Sequence, residues 1–304
     1  MNIEISDLIK IITKNFRYFC YVFVVSALII IPLALFMQNK YTSSASFSLS
    51  NSTGELDLPS SANRLASFAG LNLSNSNVGI SSDEFIGIMT SHTFLSNFIE
   101  EHDLTITILA ADIYDEENDK ITIDQDIYDS ENSMWKKKIR GKVPSTFDAV
   151  EELKDDMLYI SYDEFTGIIS LSVTSISPTF SHELLEKLVR DIDTYVRNIQ
   201  ENEANRAKEF LNEEVSKTSN VAFQSNFSKL IEENLKTIVL SNTKDYFLVD
   251  YIEKPVLPKY KSAPTRSLIV IGFVFFSLFI TYLYCFYIYV NNNGAFLNSY
   301  LKNK

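Results

Sequence analysis

The residues that could do chemistry in this chain are three histidines, two cysteines and a surplus of carboxylates. His92, His102 and His182 stand at no zinc-ligand spacing with another ligand. His182 falls in the first turn of a long helix, where a capping or surface position is expected. The densest acidic run holds Asp112, Asp115, Glu116, Glu117, Asp119, Asp124, Asp126, Asp129 and Glu131. A calcium loop started at Asp115 would put Lys120 where the sharp-turn glycine belongs and Asp126 where a bidentate Glu belongs. The pattern fails, and the run reads as a solvated or mutually paired loop beside Lys136, Lys137, Lys138, Arg140 and Lys142. There is no G-x-S-x-G, no phosphate-cradling glycine loop and no kinase signature set. The expectation is a non-enzyme with no catalytic, cofactor-binding or metal-binding residues.

What the remaining residues position is a membrane protein. The chain has 304 residues, 46% hydrophobic and 22% charged. Its apolar content is concentrated in two uncharged blocks, Tyr18 to Met37 and Ser267 to Val290. Twenty helical residues rise about 30 Å, the thickness of a hydrocarbon core. Pro32 lies near the far end of the first block, which bilayer helices tolerate. A cleaved signal peptide is the rival reading, since Lys10, Lys14 and Arg17 precede the block. Signal h-regions are shorter, so an anchor is favoured.

Those three basic residues place the N-terminus in the cytoplasm. The expected layout is a cytoplasmic tail (1–17), a first span (18–37), a domain outside the cytoplasm (38–266), a second span (267–290) and a cytoplasmic tail (291–304). Cys20 and Cys285 both lie in the spans, so no disulfide staples the domain. A cysteine-free loop is compatible with an oxidising compartment. Residues 38–266 hold 22 Lys and Arg against 37 Asp and Glu, a net charge of −15; only Lys10, Lys14, Arg17, Lys302, Lys304, Glu4 and Asp7 lie outside them. The whole chain carries −12, which argues against nucleic acid as a partner.

The loop domain reads as α+β, with a long protruding helix. Tyr41 to Leu49 alternates as a half-buried strand. Residues 50–81 read as loop with one short helix around Leu65 and Phe68. Ser81 and Glu84 form a capping box that opens a helix to about Glu100. Leu104 to Leu109 is a candidate strand. Ser145 begins a short helix to about Met157. A hairpin follows, Leu158–Tyr162 and Ile168–Ile176, turning at Asp163–Gly167. Ser177-Pro178 then starts a helix over about 179–217, with apolar positions including Leu185, Val189, Ile192, Val196 and Ile199. Its stripe needs a partner. Phe223, Phe227, Leu230, Ile231, Leu235 and Ile238 could supply one, and neighbouring subunits another. Tyr246 to Ile252 is a last strand. Pro255, Pro258 and Pro264 then favour an extended path to Arg266 without sheet pairing.

This order of parts resembles the Wzz-type chain-length determinants, the polysaccharide co-polymerases. The resemblance is carried by "DEFTGIISLSVTSISP", "SHELLEKLVRDIDTYV", "NRAKEFLNEEV" and the stretch ending "DYIEKPVLPKYKSAPTRSLIV". Pro255, Pro258, Pro264 and Arg266 carry its Pro-rich signature. It is motif-specific over about residues 158–270, while residues 101–143 show little that aligns. It implies an inner-membrane homo-oligomeric ring, with residues 38–266 as a periplasmic α/β base domain bearing the long protruding helix, that sets the length of O-antigen or related surface polysaccharide. Its partners would be further copies, an integral-membrane polymerase and, as a further candidate, the lipid-linked glycan. Larger relatives append a cytoplasmic tyrosine kinase; the 14 residues after the second span are too few for one. The oligomer contacts expected are Leu185, Val189, Ile192, Val196 and Ile199. Tyr282, Tyr284 and Tyr287 are candidates for polymerase contact or for lipid anchoring.

Two other functions stay open at this level. Capsule or exopolysaccharide export subunits share the two-span layout, although this loop domain is short for that role. An adaptor that activates a separate cytoplasmic tyrosine kinase would use a short tail such as residues 291–304. A sensor is disfavoured, because tails of 17 and 14 residues hold no output module.

Overall fold

A computed structural model describes residues 13, 15–50, 52–53, 77–78, 80–217, 224–225, 227–232, 235, 239, 243 and 245–302. The expected short helix at Leu65 and Phe68, and the positions of Phe223 and Ile238, lie outside them. The chain divides into two compact units: residues 1–39 with 261–304, and residues 40–260.

The first unit is a pair of apolar helices, α1 (Phe16–Phe36) and α7 (Arg266–Lys302), packed against each other. Each is long and apolar enough to cross a membrane; in α7 the qualifying stretch is Arg266–Ile288. The helix does not stop at the end of the apolar block but runs on to Lys302. The buried residues of α1 are Ser26, Ile30 and Ala34, an i, i+4, i+8 stripe. Small residues at two of its three positions let helix backbones approach closely. Ser26, Ser277 and Thr281 donate their hydroxyls to carbonyls three or four residues back, so they carry no unmet polar demand.

The second unit is built on a four-stranded antiparallel sheet. Its strands are β1 (Tyr41–Leu49), β8 (Leu158–Asp163), β9 (Ile168–Ser175) and β10 (Val249–Glu253), in the order β10-β1-β9-β8. Strand alternation puts three rungs on one face: Ser43-Val173-Leu158, Ala45-Leu171-Ile160 and Phe47-Ile169-Tyr162. That face meets the long helix α6 (Pro178–Lys217), which packs on β1 and β9. The opposite face is a hydroxyl ladder, with Thr42 bonded to Thr174 at 2.8 Å and Ser46 to Ser170 at 3.2 Å. The register holds because a one-residue slip would exchange these two faces. Gly167, at φ 69°, supplies the left-handed residue that closes the β8–β9 turn.

Helices α2 (Ser82–Met89), α3 (His92–Glu101), α4 (Thr105–Ala110) and α5 (Thr146–Glu152) complete the core, with a π-helical turn Leu153–Met157 leading into β8. Two departures from the sequence reading have local causes. The helix expected from Ser81 to Glu100 is two helices. Thr90 turns its hydroxyl onto the Ile86 carbonyl, Ser91 is extended at ψ 140°, and its Oγ caps the Phe94 amide as a second N-cap. Leu104 to Leu109 is not a strand. It is the short helix α4, because packing against α5 buries Leu104 and Ile108, one helical turn apart. The local β preference of the Ile-Thr alternation loses to that burial.

Residues 111–135 form two small hairpins, β4 (Ala111–Asp115) with β5 (Lys120–Ile123), and β6 (Tyr128–Asp129) with β7 (Met134–Trp135). They are copies of one turn. Ile113-Tyr-Asp-Glu-Glu-Asn-Asp119 and Ile127-Tyr-Asp-Ser-Glu-Asn-Ser133 repeat fourteen residues apart. In each, one carboxylate oxygen of Asp115 or Asp129 accepts the amides two and three residues on, and the other accepts the Asn118 or Asn132 side chain. Asp119 and Ser133 follow at φ 50° and 52°. An additional short pair, β2 (Ser52–Thr53) with β3 (Asn77–Val78), lies between β1 and α2 in the chain.

Candidate functional site

Helix α6 is the element on which most of the chemistry converges. Ser177 Oγ caps the Phe180 amide at 3.1 Å and Pro178 occupies the first turn, where its missing N–H is not needed. From there Leu184, Leu185, Leu188, Val189, Ile192 and Val196 are all buried in the core. Four of the five residues expected at an oligomer surface are thus covered within the single chain. Leu185, Val189, Ile192 and Val196 are at most 1% exposed within a single chain, so the sheet and α3 already cover them. Of the five expected contacts, only Ile199, at 36% exposure, remains open to another molecule. Further along, Ala204, Ala207 and Leu211 are buried while Phe210 is 42% exposed. Among the proposed covering residues, Leu230 is buried within a helical stretch, and Leu235 is exposed.

A charged residue sits inside the buried stripe. The Asp193 carboxylate accepts the Leu248 amide at 2.6 Å, the Phe247 amide at 3.1 Å and an Arg197 Nη at 2.8 Å. Arg197 also donates to the Asp245 carbonyl. This knot explains why the last strand starts at Val249 rather than Tyr246: the amides of 247 and 248 are committed to the helix. The Leu248 carbonyl in turn accepts the Ser50 amide, which extends the pairing past the end of β1.

Two residues earlier on the same helix, Asp191 meets His102 Nε2 at 2.7 Å, tying the end of α3 to α6. A groove of about 280 Å³ opens beside this pair, floored by Phe94, Phe98 and Tyr195 and edged by Asn97 and Asn198. His92 lies against the Phe147 ring and bonds to Ser96. His182 is half-buried rather than a surface residue, with its Nδ1 enclosed and unpaired.

Two carboxylates of the first acidic hairpin tie it to β1 and to α6. Asp119 accepts from the Tyr114 and Thr179 hydroxyls at 2.8 Å each, and Glu116 accepts from Tyr41 at 3.0 Å. Burial first, and then the accepting carboxylates, push the Tyr41 and Tyr114 hydroxyls above the ordinary phenol range. The Asn132 side chain and amide, with Lys136, hold the Asp129 carboxyl down at about 2. Among the described residues no group of three or more His, Cys, Asp or Glu could hold a metal ion.

The Pro-rich stretch ends in a clasp. Arg266, the first residue of α7, donates through one Nη to the Met37 carbonyl at 2.8 Å and to Asn39 Oδ1 at 3.0 Å. Met37 is the C-cap of α1, so its carbonyl has no partner within that helix. Lys261 reaches the same Asn39 oxygen at 3.4 Å. Arg266 therefore joins the end of one apolar helix to the beginning of the other. Upstream, Ser43 Oγ holds the Val256 carbonyl at 2.9 Å, and the chain past Glu253 leaves the sheet, with Pro255 and Pro258 half-buried. Of the tyrosines in α7, Tyr284 and Tyr287 are exposed on the helix pair and Tyr282 is half-buried.

Arg266→Ala is expected to fray the last turn of α1. Hydrogen exchange there should accelerate about tenfold, the loss of one charge-assisted bond of about 1.5 kcal/mol. Arg266→Lys should recover part of the protection, and unchanged exchange in the alanine variant would mean that the clasp contributes nothing to the helix end.

The sequence reading missed Asp193 and the partners of Arg266. The signal for the first was visible: a lone Asp at a stripe position, four residues before an Arg. For the second there was none, since Met37 contributes only its backbone.

No family model matches the chain, and no curated protein matches it in sequence. Solved structures do. The chain is similar to a full-length bacterial polysaccharide co-polymerase at 13% identity and a TM-score of 0.39, over 95% of this chain and 99% of that one. It is also similar to a fragment of WzzB, a polysaccharide co-polymerase from Salmonella Typhimurium, at 13% identity and a TM-score of 0.30, over 74% of this chain and 99% of that one.

Proposed function

We propose that this chain is a two-span inner-membrane regulator of surface-polysaccharide chain length, acting as a homo-oligomer beside an integral-membrane polymerase. The observation that carries the reading is the order of parts. Two membrane-length helices, clasped by Arg266, bracket an α/β domain. Within that domain the hairpin β8–β9, the long helix α6, β10 and the Pro-rich stretch follow in the order that resembles the co-polymerases. In this reading both termini are cytoplasmic, residues 38–266 are periplasmic, and the protein contributes surfaces rather than a reaction. Exposed Ile199 and Phe210 on α6 serve neighbouring copies. Tyr284 and Tyr287 face lipid or the polymerase.

Deleting the gene and resolving surface polysaccharide on a gel tests the reading. A narrow modal band should spread into a broad range of lengths, with total polymer kept within about twofold, and the intact gene should restore the band. Total loss of surface polymer with accumulation inside the cell would instead indicate an export subunit.

A further inference from the structure

Between β10 and α7 the chain carries Lys254, Lys259 and Lys261, and no Asp or Glu occurs anywhere after Glu253. This stretch belongs to a loop domain whose net charge is −15, so its sign is opposite to that of its surroundings. Its apolar residues are left open to a large degree: Val256 is 51% exposed, Leu257 49% and Tyr260 86%. A tyrosine between two lysines, with aliphatic side chains turned outward beside it, is poorly matched to water and well matched to the headgroup layer. There an aromatic ring sits with its hydroxyl wet and lysines reach phosphate. Position agrees with composition. Lys261 is bonded to Asn39, two residues past the C-cap of α1, and Tyr260 is its covalent neighbour.

Resting on the membrane reading given above, we propose that Lys259-Tyr260-Lys261 is a lipid-contact element. The Tyr260 ring lies among the headgroups where the two helices emerge, and Lys259 and Lys261 hold the phosphates of anionic phospholipid. The strap is fixed at both ends, by Ser43 on β1 and by Arg266 on α7, and its middle is held by the bilayer surface. The lipid composition of that leaflet then bears on how firmly the strap is held.

The test uses the full chain in nanodiscs of phosphatidylcholine, with or without phosphatidylglycerol. Trp135 is the one tryptophan, so Trp135→Phe gives a silent background. In it, Tyr260→Trp is expected to be quenched by lipids spin-labelled at the headgroup and not by labels deep in the acyl chain. Phosphatidylglycerol should raise the quenching about twofold, and Lys259→Gln with Lys261→Gln should abolish that increase. Phe165→Trp, at a hairpin tip where the native side chain is fully exposed, is the aqueous reference. Quenching of the Tyr260→Trp indole no greater than that reference overturns the proposal, and so does quenching indifferent to both phosphatidylglycerol and the lysines. Phe276→Trp, on the exposed side of α7, separates the two readings. If deep labels quench it and the Tyr260→Trp indole stays unquenched, the strap proposal alone fails; if deep labels leave it unquenched, the membrane reading fails. In the unmodified protein, trypsin should cut at Lys259 and Lys261 several-fold more slowly when phosphatidylglycerol is present, and equal rates count against the proposal.

Discussion

Asp193→Ala is expected to destabilise the α/β domain by about 3–5 kcal/mol, the cost of breaking a buried ion pair from one side. The carboxylate is 3% exposed and accepts three donors. Its removal leaves the Phe247 and Leu248 amides without their acceptor in a site closed to water, while Arg197 loses its ion-pair partner and keeps the Asp245 carbonyl. Each amide then bears its full desolvation cost, which exceeds what the bond contributes net when made. In a domain of this size the loss should lower the unfolding midpoint by roughly 10 °C. Asp193→Asn should not rescue it, because an amide offers one acceptor oxygen and turns a donor toward donors. A thermal scan of the two variants and of Arg197→Met decides the matter. Once Asp193 is gone, Arg197→Met should cost almost nothing more. A loss below about 1 kcal/mol for Asp193→Ala would mean that the knot is ornamental and that packing alone seats β10.

This knot also marks where local pattern stops being informative. Strands β1, β8 and β9 were legible because a half-buried strand writes its two faces in alternate residues, as in Ala45-Ser46-Phe47-Ser48. Helix α6 was legible for the analogous reason at a spacing of three to four, with Ser177 and Pro178 marking its start. The membrane-length helices needed only length and the absence of charge. The break at Thr90–Ser91 was less visible, because Ser91 has Phe94 rather than an acid at the third position and so lacks the capping-box signature. Leu104 to Leu109 reads as a strand because an Ile-Thr alternation has the period of one, and only the packing against α5 makes it a helix. The twin hairpins were recoverable from sequence, since Ile-Tyr-Asp-x-Glu-Asn occurs twice fourteen residues apart. Their first acids, Asp115 and Asp129, are turn acceptors. The Arg266 clasp could not be read at all, since a carbonyl oxygen has no letter.

The same limit governs α6. An apolar stripe records that a face is covered and is silent about which molecule covers it, so Leu185, Val189, Ile192 and Val196 read as contacts for neighbouring copies although they belong to the chain's own core. Leu185→Ala is therefore expected to cost about 2–5 kcal/mol through the cavity it leaves beneath β1 and β9, and this loss should not change with protein concentration. Ile199 and Phe210 behave oppositely. They stand eleven residues apart, about three helical turns, so they share a face, and both are exposed in the single chain. Ile199→Asp with Phe210→Asp should leave the unfolding midpoint of the domain nearly unchanged, within about 0.5 kcal/mol per site. In the homo-oligomer proposed above it should reduce the assembled species severalfold in sedimentation of the detergent-solubilised protein, because a carboxylate buried between copies would have no partner to offset its desolvation. If the double variant stays assembled while a folded Leu185→Ala protein falls apart, copies meet through the first half of α6 and the two halves of the helix exchange roles. If both remain assembled, the contacts between copies lie off this helix, and the exposed Ile199–Phe210 face must be matched to a different partner.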